Sequence, residues 1–168
     1  MNENFIQMNV TGLTVDPFTN MPIIILKDKD ENLALPIWIG LIEASSIATE
    51  LEKVKLTRPM THDLMKNILE VVGAQVVRVD ICDLSDNTFF ARVFLLHNEK
   101  EIPLDCRPSD ALALALRTQA PIFVSKQVID KSRKIDFSIG SDPKNREQQK
   151  WTEILENLTP EDFGKYKM

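Results

Sequence analysis

Two stretches of the chain set an arginine, a proline, a hydroxyl and an acid close together. They are Arg58-Pro59-Met60-Thr61-His62-Asp63 and Asp105-Cys106-Arg107-Pro108-Ser109-Asp110. Each has the layout of a helix start, with Thr61 or Ser109 as the expected N-cap and an acid in the first turn. Helix N-termini expose unpaired N–H groups and attract anions such as phosphate. Arg58 and Arg107 are suited to a bidentate grip on a phosphate. His62 has the pKa range for general acid or base work. Glu43, which follows Ile39-Gly40-Leu41-Ile42, puts a further carboxylate at the start of another predicted helix.

Gathered in one cleft, these groups would serve phosphodiester hydrolysis. That reaction needs charge stabilised on the phosphoryl oxygens, a water activated and a leaving oxygen protonated. The expected roles are catalytic for Glu43, His62 and Asp110, and phosphate-binding for Arg58 and Arg107. Asp63, Asp105 and Asp110 are expected to hold a divalent metal, Mg2+ or Mn2+, with Glu43 binding or orienting it. The competing reading is bare helix-start chemistry, since caps and first-turn acids each stabilise a helix by roughly 0.5–2 kcal/mol without any site. On that reading the chain is a non-catalytic oligomeric module, with Arg58 and Arg107 closed against Asp63, Asp105 or Asp110.

Other signals are weaker. His97 ends a strand beside Asn98-Glu99 and reads as a solvent position. Cys106 has no histidine near it in sequence and reads as a small buried thiol. Trp38 and Phe89-Phe90 can stack on bases, but aromatics in strands more often fill a core. Lys126, Lys131, Arg133 and Lys134 form a basic stretch offset by Asp130, suited to a nucleic-acid strand or to a solvated face. The sequence has no GxGxxG, P-loop, HExxH or GxSxG.

The elements that must position these residues follow from pattern. Ile6, Met8 and Val10 alternate with polar residues as in a half-buried strand. Ile23–Leu26 is a second strand and Leu33–Ile39 a third, placed at an edge or bulge by Pro36. Leu41–Val54 is a predicted helix, and a second starts at Thr61 with Gly73 as its C′ residue. Strands over Val77–Cys82, Thr88–Leu96 and Ile102–Asp105 form an antiparallel meander, with Thr88–Leu96 expected to be central. A buried Ala/Leu-rich helix follows from Asp110 to Thr118, then a short strand over Ala120–Val124 and a turn or two of helix through Lys131. Residues 1–132 are read as the main domain and 133–168 as a helical extension, in which Trp151, Leu155 and Leu158 mark one apolar face.

Composition bounds the class. The chain has 168 residues, 43% hydrophobic and 27% charged, with a net charge of −5. That excludes a strongly basic nucleic-acid binder, because an acidic surface gains little from counterion release. Cys82 and Cys106 make no disulfide framework. Met1–Asn4 has neither a basic nor an apolar leader region, so a cytoplasmic protein without a membrane span is expected.

Five blocks in order resemble the bifunctional nuclease, or DNase/RNase domain, family. They are Leu35-Pro36-Ile37-Trp38-Ile39-Gly40 with Glu43; Arg58 through Leu64; Asp86-Asn87-Thr88-Phe89-Phe90-Ala91; Asp105 through Ala111; and Ala120-Pro121-Ile122-Phe123-Val124. The resemblance covers roughly residues 5–130. It implies an α+β fold, an antiparallel or mixed sheet flanked by helices, in a homo-oligomer. It also implies DNA and RNA as partners, cut with low sequence specificity. A tyrosine frequent in the family's middle block is Phe90 here, and the position of Cys106 is often a small residue. Lys144–Met168 does not resemble the UVR motif of some longer members, so no repair-complex role is carried over.

Overall fold

The structure, a computed structural model, describes residues 4–133. In chain order these form β1 (Phe5–Val15), β2 (Pro22–Asp28), β3 (Ala34–Trp38), α1 (Leu41–Leu51), α2 (Thr61–Val71), β4 (Gln75–Ser85), β5 (Thr88–His97), β6 (Lys100–Cys106), α3 (Pro108–Thr118), β7 (Ile122–Ser125) and α4 (Lys126–Arg133). The strands make one sheet in the order β3-β2-β1-β7-β4-β5-β6. Every neighbouring pair is antiparallel except β4 and β7. This is the mixed α+β arrangement that the resemblance implied.

Short β7 joins the two halves of the sheet, pairing with β1 on one side and β4 on the other. Cross-strand register then fixes what each face carries, because successive side chains in a strand point to opposite faces. One row runs Met8, Ile122, Val79, Val93, all 6% exposed or less. The next row, on the opposite face, runs Gln7, Phe123, Asp80, Arg92, Asp105. Helices cover the first face. Ala44 and Ile47 of α1 pack there with Ala111, Leu112 and Ala115 of α3, and α2 packs against α3.

Local chemistry explains the boundaries. Pro36 lies in the edge strand β3, where its missing N–H breaks no ladder. Asp86-Asn87 and Asn98-Glu99 all take positive φ, the backbone of tight two-residue hairpins. Gly73, at φ 71, is the C′ residue of α2 as predicted. β5 is penultimate rather than central, since β6 forms the edge beside it.

Three helix boundaries differ from the sequence reading. α1 stops at Leu51, because Lys53 at φ 55 turns the chain and Val54 N–H bonds back to Thr49 O. The N-caps are Met60 and Arg107, so Thr61 and Ser109 lie inside α2 and α3. Pro108 takes the first helical position of α3, a preferred place for proline.

No helix among the described residues is long and apolar enough to cross a membrane. Apart from Arg133, which ends α4, the predicted C-terminal extension lies outside the described residues.

Candidate functional site

The N-cap positions place one acid at the third residue of each of three helices: Glu43 in α1, Asp63 in α2 and Asp110 in α3. An acid there is favoured by the helix dipole. In α2 the acid acts as a cap, with Asp63 Oδ2 accepting from Met60 N–H at 2.9 Å. The acids of α1 and α3 turn instead to one cation. Arg107 donates from Nη1 to Glu43 Oε1 at 2.6 Å, from Nε to Asp110 Oδ2 at 2.8 Å and from Nη2 to Asp110 Oδ1 at 3.1 Å. Gly40 makes room for this, since a Cβ there would collide with Glu43 Oε2.

His62 lies behind this pair. Its Nε2 is 3.1 Å from Asp110 Oδ1 and its Nδ1 is 2.8 Å from Ser46 Oγ. Burial alone would raise the Asp110 carboxyl, but hydrogen bonds from Arg107 and His62 and their charges hold it below the ordinary value. With Asp110 ionised, Nε2–H donates to it, while Ser46 Oγ holds the other ring nitrogen. The hydroxyl–imidazole–carboxylate order looks like a nucleophilic triad. Ser46 is only 3% exposed, however, so its hydroxyl orients the ring rather than meeting a substrate. Exposure rises outward, from 9% for the His62 side chain to 27% for Asp110 and 66% for Arg107. Arg107 and Asp110 are the groups an incoming molecule meets.

No sequence motif points to Arg117 or Ser46. The Arg117 side chain is 4% exposed and donates to Asp63 Oδ1 at 2.6 Å, to Ala113 O and to Ser46 O. It thereby ties α2, α3 and α1 at one point. Burial works against the Asp63 charge, yet the Arg117 and Met60 hydrogen bonds keep its carboxyl below the ordinary value. In sequence Arg117 looks like an ordinary dipole-compensating residue of a last turn. Its one signal is a position on the buried side of a helix whose neighbours are nearly all Ala and Leu.

The structure brings Glu43, His62, Asp110 and Arg107 together, with Asp63 one residue from His62 and turned to Arg117. Arg58 and Asp105 lie elsewhere. Asp110 follows Arg107 by three positions, within reach in one turn, whereas Asp63 follows Arg58 by five and Arg58 precedes the cap. Arg58 lines a separate groove with Asp63 and Arg117. Asp105 stands opposite Arg92, in the row on the sheet face away from the helices. Cys106 packs toward the core, and burial first, then nearby Asp110 and Asp105, push its thiol up to about 11, so it is no nucleophile. Lys131 of the basic stretch is engaged by Asp83 and Leu84 O.

The donor set does not fit a resident divalent ion. Asp63, Asp105 and Asp110 face three different surroundings, and the Arg107 guanidinium fills the space between Glu43 and Asp110. Among the described residues no three His, Cys, Asp or Glu side chains are grouped to hold a metal.

Comparison with known proteins adds a family to this geometry. A profile of the bifunctional nuclease domain matches residues 24–136. An uncharacterized protein of Mycobacterium tuberculosis is 33% identical over 162 residues, 94% of this chain and 97% of that protein. Bifunctional nuclease 1 of Arabidopsis thaliana is 30% identical over 122 residues, 70% of this chain but 38% of the plant protein. Bifunctional nuclease 1 of Oryza sativa subsp. japonica is 31% identical over 109 residues, 62% of this chain and 33% of that protein.

Proposed function

The chain belongs to the bifunctional nuclease domain family, and from that membership we propose that it hydrolyses phosphodiester bonds of DNA and RNA with little sequence preference, at Arg107, Asp110 and His62. One observation carries this reading: an exposed arginine masks a carboxylate that is backed from the other side by a buried histidine. A substrate phosphate competes for the Arg107 guanidinium. As Arg107 turns to the phosphate it leaves Asp110, and loss of that opposing charge raises the carboxylate's basicity. Asp110 then takes a proton from water as the water oxygen bonds to phosphorus. His62 holds Asp110 in place through Nε2–H and shares the charge, as a positioning residue. The P–O bond to the leaving oxygen breaks, Arg107 stabilises the phosphoryl charge, and solvent protonates the leaving oxygen at this open surface. Glu43 is the rest position to which Arg107 returns.

Mg2+ or Mn2+ enters this proposal as a competitor of Arg107 for Glu43 and Asp110, not as a fixed part of the fold. The test is cleavage of labelled single-stranded DNA and RNA by highly purified protein across a metal titration. Wild type, Arg107→Ala and Asp110→Asn are compared. Cleavage retained in both variants rejects the assignment.

A second reading has its own support. Arg107, Glu43 and Asp110 satisfy one another as counter-ions, and buried Arg117 locks three helices. On that reading the network is structural and the domain a non-catalytic module. It expects Arg107→Ala to lower stability strongly, where the hydrolase reading expects a small loss.

The proposal also includes self-association through α2. Leu64, Ile68 and Val71 are 52–87% exposed along one face of the helix, with Val72 at 53% beside them. A contiguous apolar stripe of this kind marks an interaction surface.

A further inference from the structure

A groove of about 400 Å3 runs between the end of α1, the segment 52–60 and α2. It flanks the first turn of α2 on the side of Asp63, whereas the neighbouring His62 faces Asp110. Its volume lies in the range of ~300–1,000 Å3 common for small-ligand sites. Two acids line it, and both are already matched: Glu50 pairs with Lys53 at 2.8 Å and Asp63 with Arg117 at 2.6 Å. Lys55 and Arg58 also line it, both exposed and without an ion pair among the described residues. The groove is therefore cationic on a chain whose net charge is −5. Its wall includes Val54 and Leu56, 45% and 39% exposed.

Two unmatched cations beside an apolar wall suit an anion that carries a flat apolar group, the chemistry of a nucleotide in a single strand. In a duplex the base is stacked and unavailable to Val54 and Leu56. We propose that this groove is a subsite for single-stranded nucleic acid, in which Lys55 and Arg58 hold a backbone phosphate next to the scissile one and the base or sugar rests on Val54 and Leu56. Adjacency to the scissile phosphate rests on the hydrolase reading; the binding itself is independent of it. A strand on Arg107 continues over the first turn of α2 into the groove.

The test is fluorescence anisotropy with a short fluorescein-labelled single-stranded phosphorothioate DNA at several salt concentrations. It compares wild type, the double variant Lys55→Ala/Arg58→Ala, and Lys29→Ala as an exposed control. Both groove side chains are exposed, so the double variant should melt like wild type. The expected result is a tenfold or greater loss of affinity in the double variant alone. The salt slope should shrink by roughly 0.7 for each phosphate that the variant no longer neutralises. Unchanged affinity and slope, no binding by wild type, or equal binding of a matching duplex would each overturn the subsite. Cleavage of unmodified DNA by the same samples separates the two proposals. Wild-type cleavage with unaltered probe affinity in the double variant removes the subsite and leaves the hydrolase. Weakened probe binding with no wild-type cleavage does the reverse.

Discussion

Arg107 Nη1 stands 2.6 Å from Glu43 Oε1, although the two residues are 64 positions apart in the chain. The contact joins the N-terminus of α1 to that of α3 through a side chain two-thirds open to solvent. Hydrogen bonds to Asp110 and Glu43 push the already high Arg107 pKa further up, so the guanidinium stays charged throughout. A cation held this way is a solvent-exposed counter-ion, not a buried strut.

Gly40→Ala tests the rest position of Arg107. Gly40 has an ordinary φ of −71, so alanine brings no backbone strain. Its Cβ would meet Glu43 Oε2 and force that carboxylate aside. The expected outcome is a several-fold change in cleavage with a melting temperature within a few degrees of wild type. A profile identical to wild type in both removes Glu43 from the account.

Arg117 should behave in the opposite way. Removing one partner of a buried pair strands the other, and Arg117→Met is expected to cost about 3 kcal/mol, at the low end for such pairs because Asp63 keeps part of its hydration. Arg117→Lys should recover little, because a lysine ammonium cannot span Asp63, Ala113 O and Ser46 O at once. Urea unfolding measures both, and a loss within error for Arg117→Met contradicts the lock.

Acid stability follows from the depressed carboxyls. Asp63 and Asp110 fold with pKa values below the ordinary 3.8. The stability they contribute is therefore fully present above that value and is lost as pH falls through their folded pKa values. Asp80 has the opposite sign. Burial raises its carboxyl, Arg78 offsets this only partly, and Glu101 adds to it. Its charge therefore opposes folding at neutral pH, and that penalty disappears in acid. Asp80→Asn should stabilise the protein near pH 7 and lose its advantage below about pH 4, as read from urea midpoints across pH. A neutral-pH loss would contradict the assignment.

Ile68→Asp tests association. If copies of the chain pair through α2, a charge in the middle of its exposed stripe leaves only monomers in light scattering without a large change in melting temperature. A wild-type protein that is itself monomeric removes α2 as a contact.

Much of this architecture was legible because it rests on local chemistry. Alternation in Ile6–Val10, the hairpin residues Asp86-Asn87, and Gly73 after α2 each encode their own element. What joins elements was harder to read. β7 is a short apolar run whose place between β1 and β4 depends on both partners. The helix starts suggest that Glu43, His62, Asp110 and Arg107 lie close together, and Arg107 closed against Asp110 is the pairing that the non-catalytic reading expects, but two details are not legible in them. Strand alternation turns Asp105 to the far face while Cys106 faces the core. A two-residue difference in spacing sends Arg58 to a separate groove while Arg107 reaches its own acid. Ser46 and Arg117 carried no motif, because their partners are a histidine sixteen residues away and a carboxylate fifty-four away.

Cleavage of single-stranded DNA and melting temperature, measured together in Arg107→Ala, decide whether Arg107 uncovers Asp110 for a phosphodiester substrate. The expected result is a fall in kcat/KM of at least a hundredfold, with a stability loss of about 1 kcal/mol or less, as for an exposed ion pair. Cleavage at the wild-type rate, or a protein that unfolds when this exposed side chain is cut back, would contradict it.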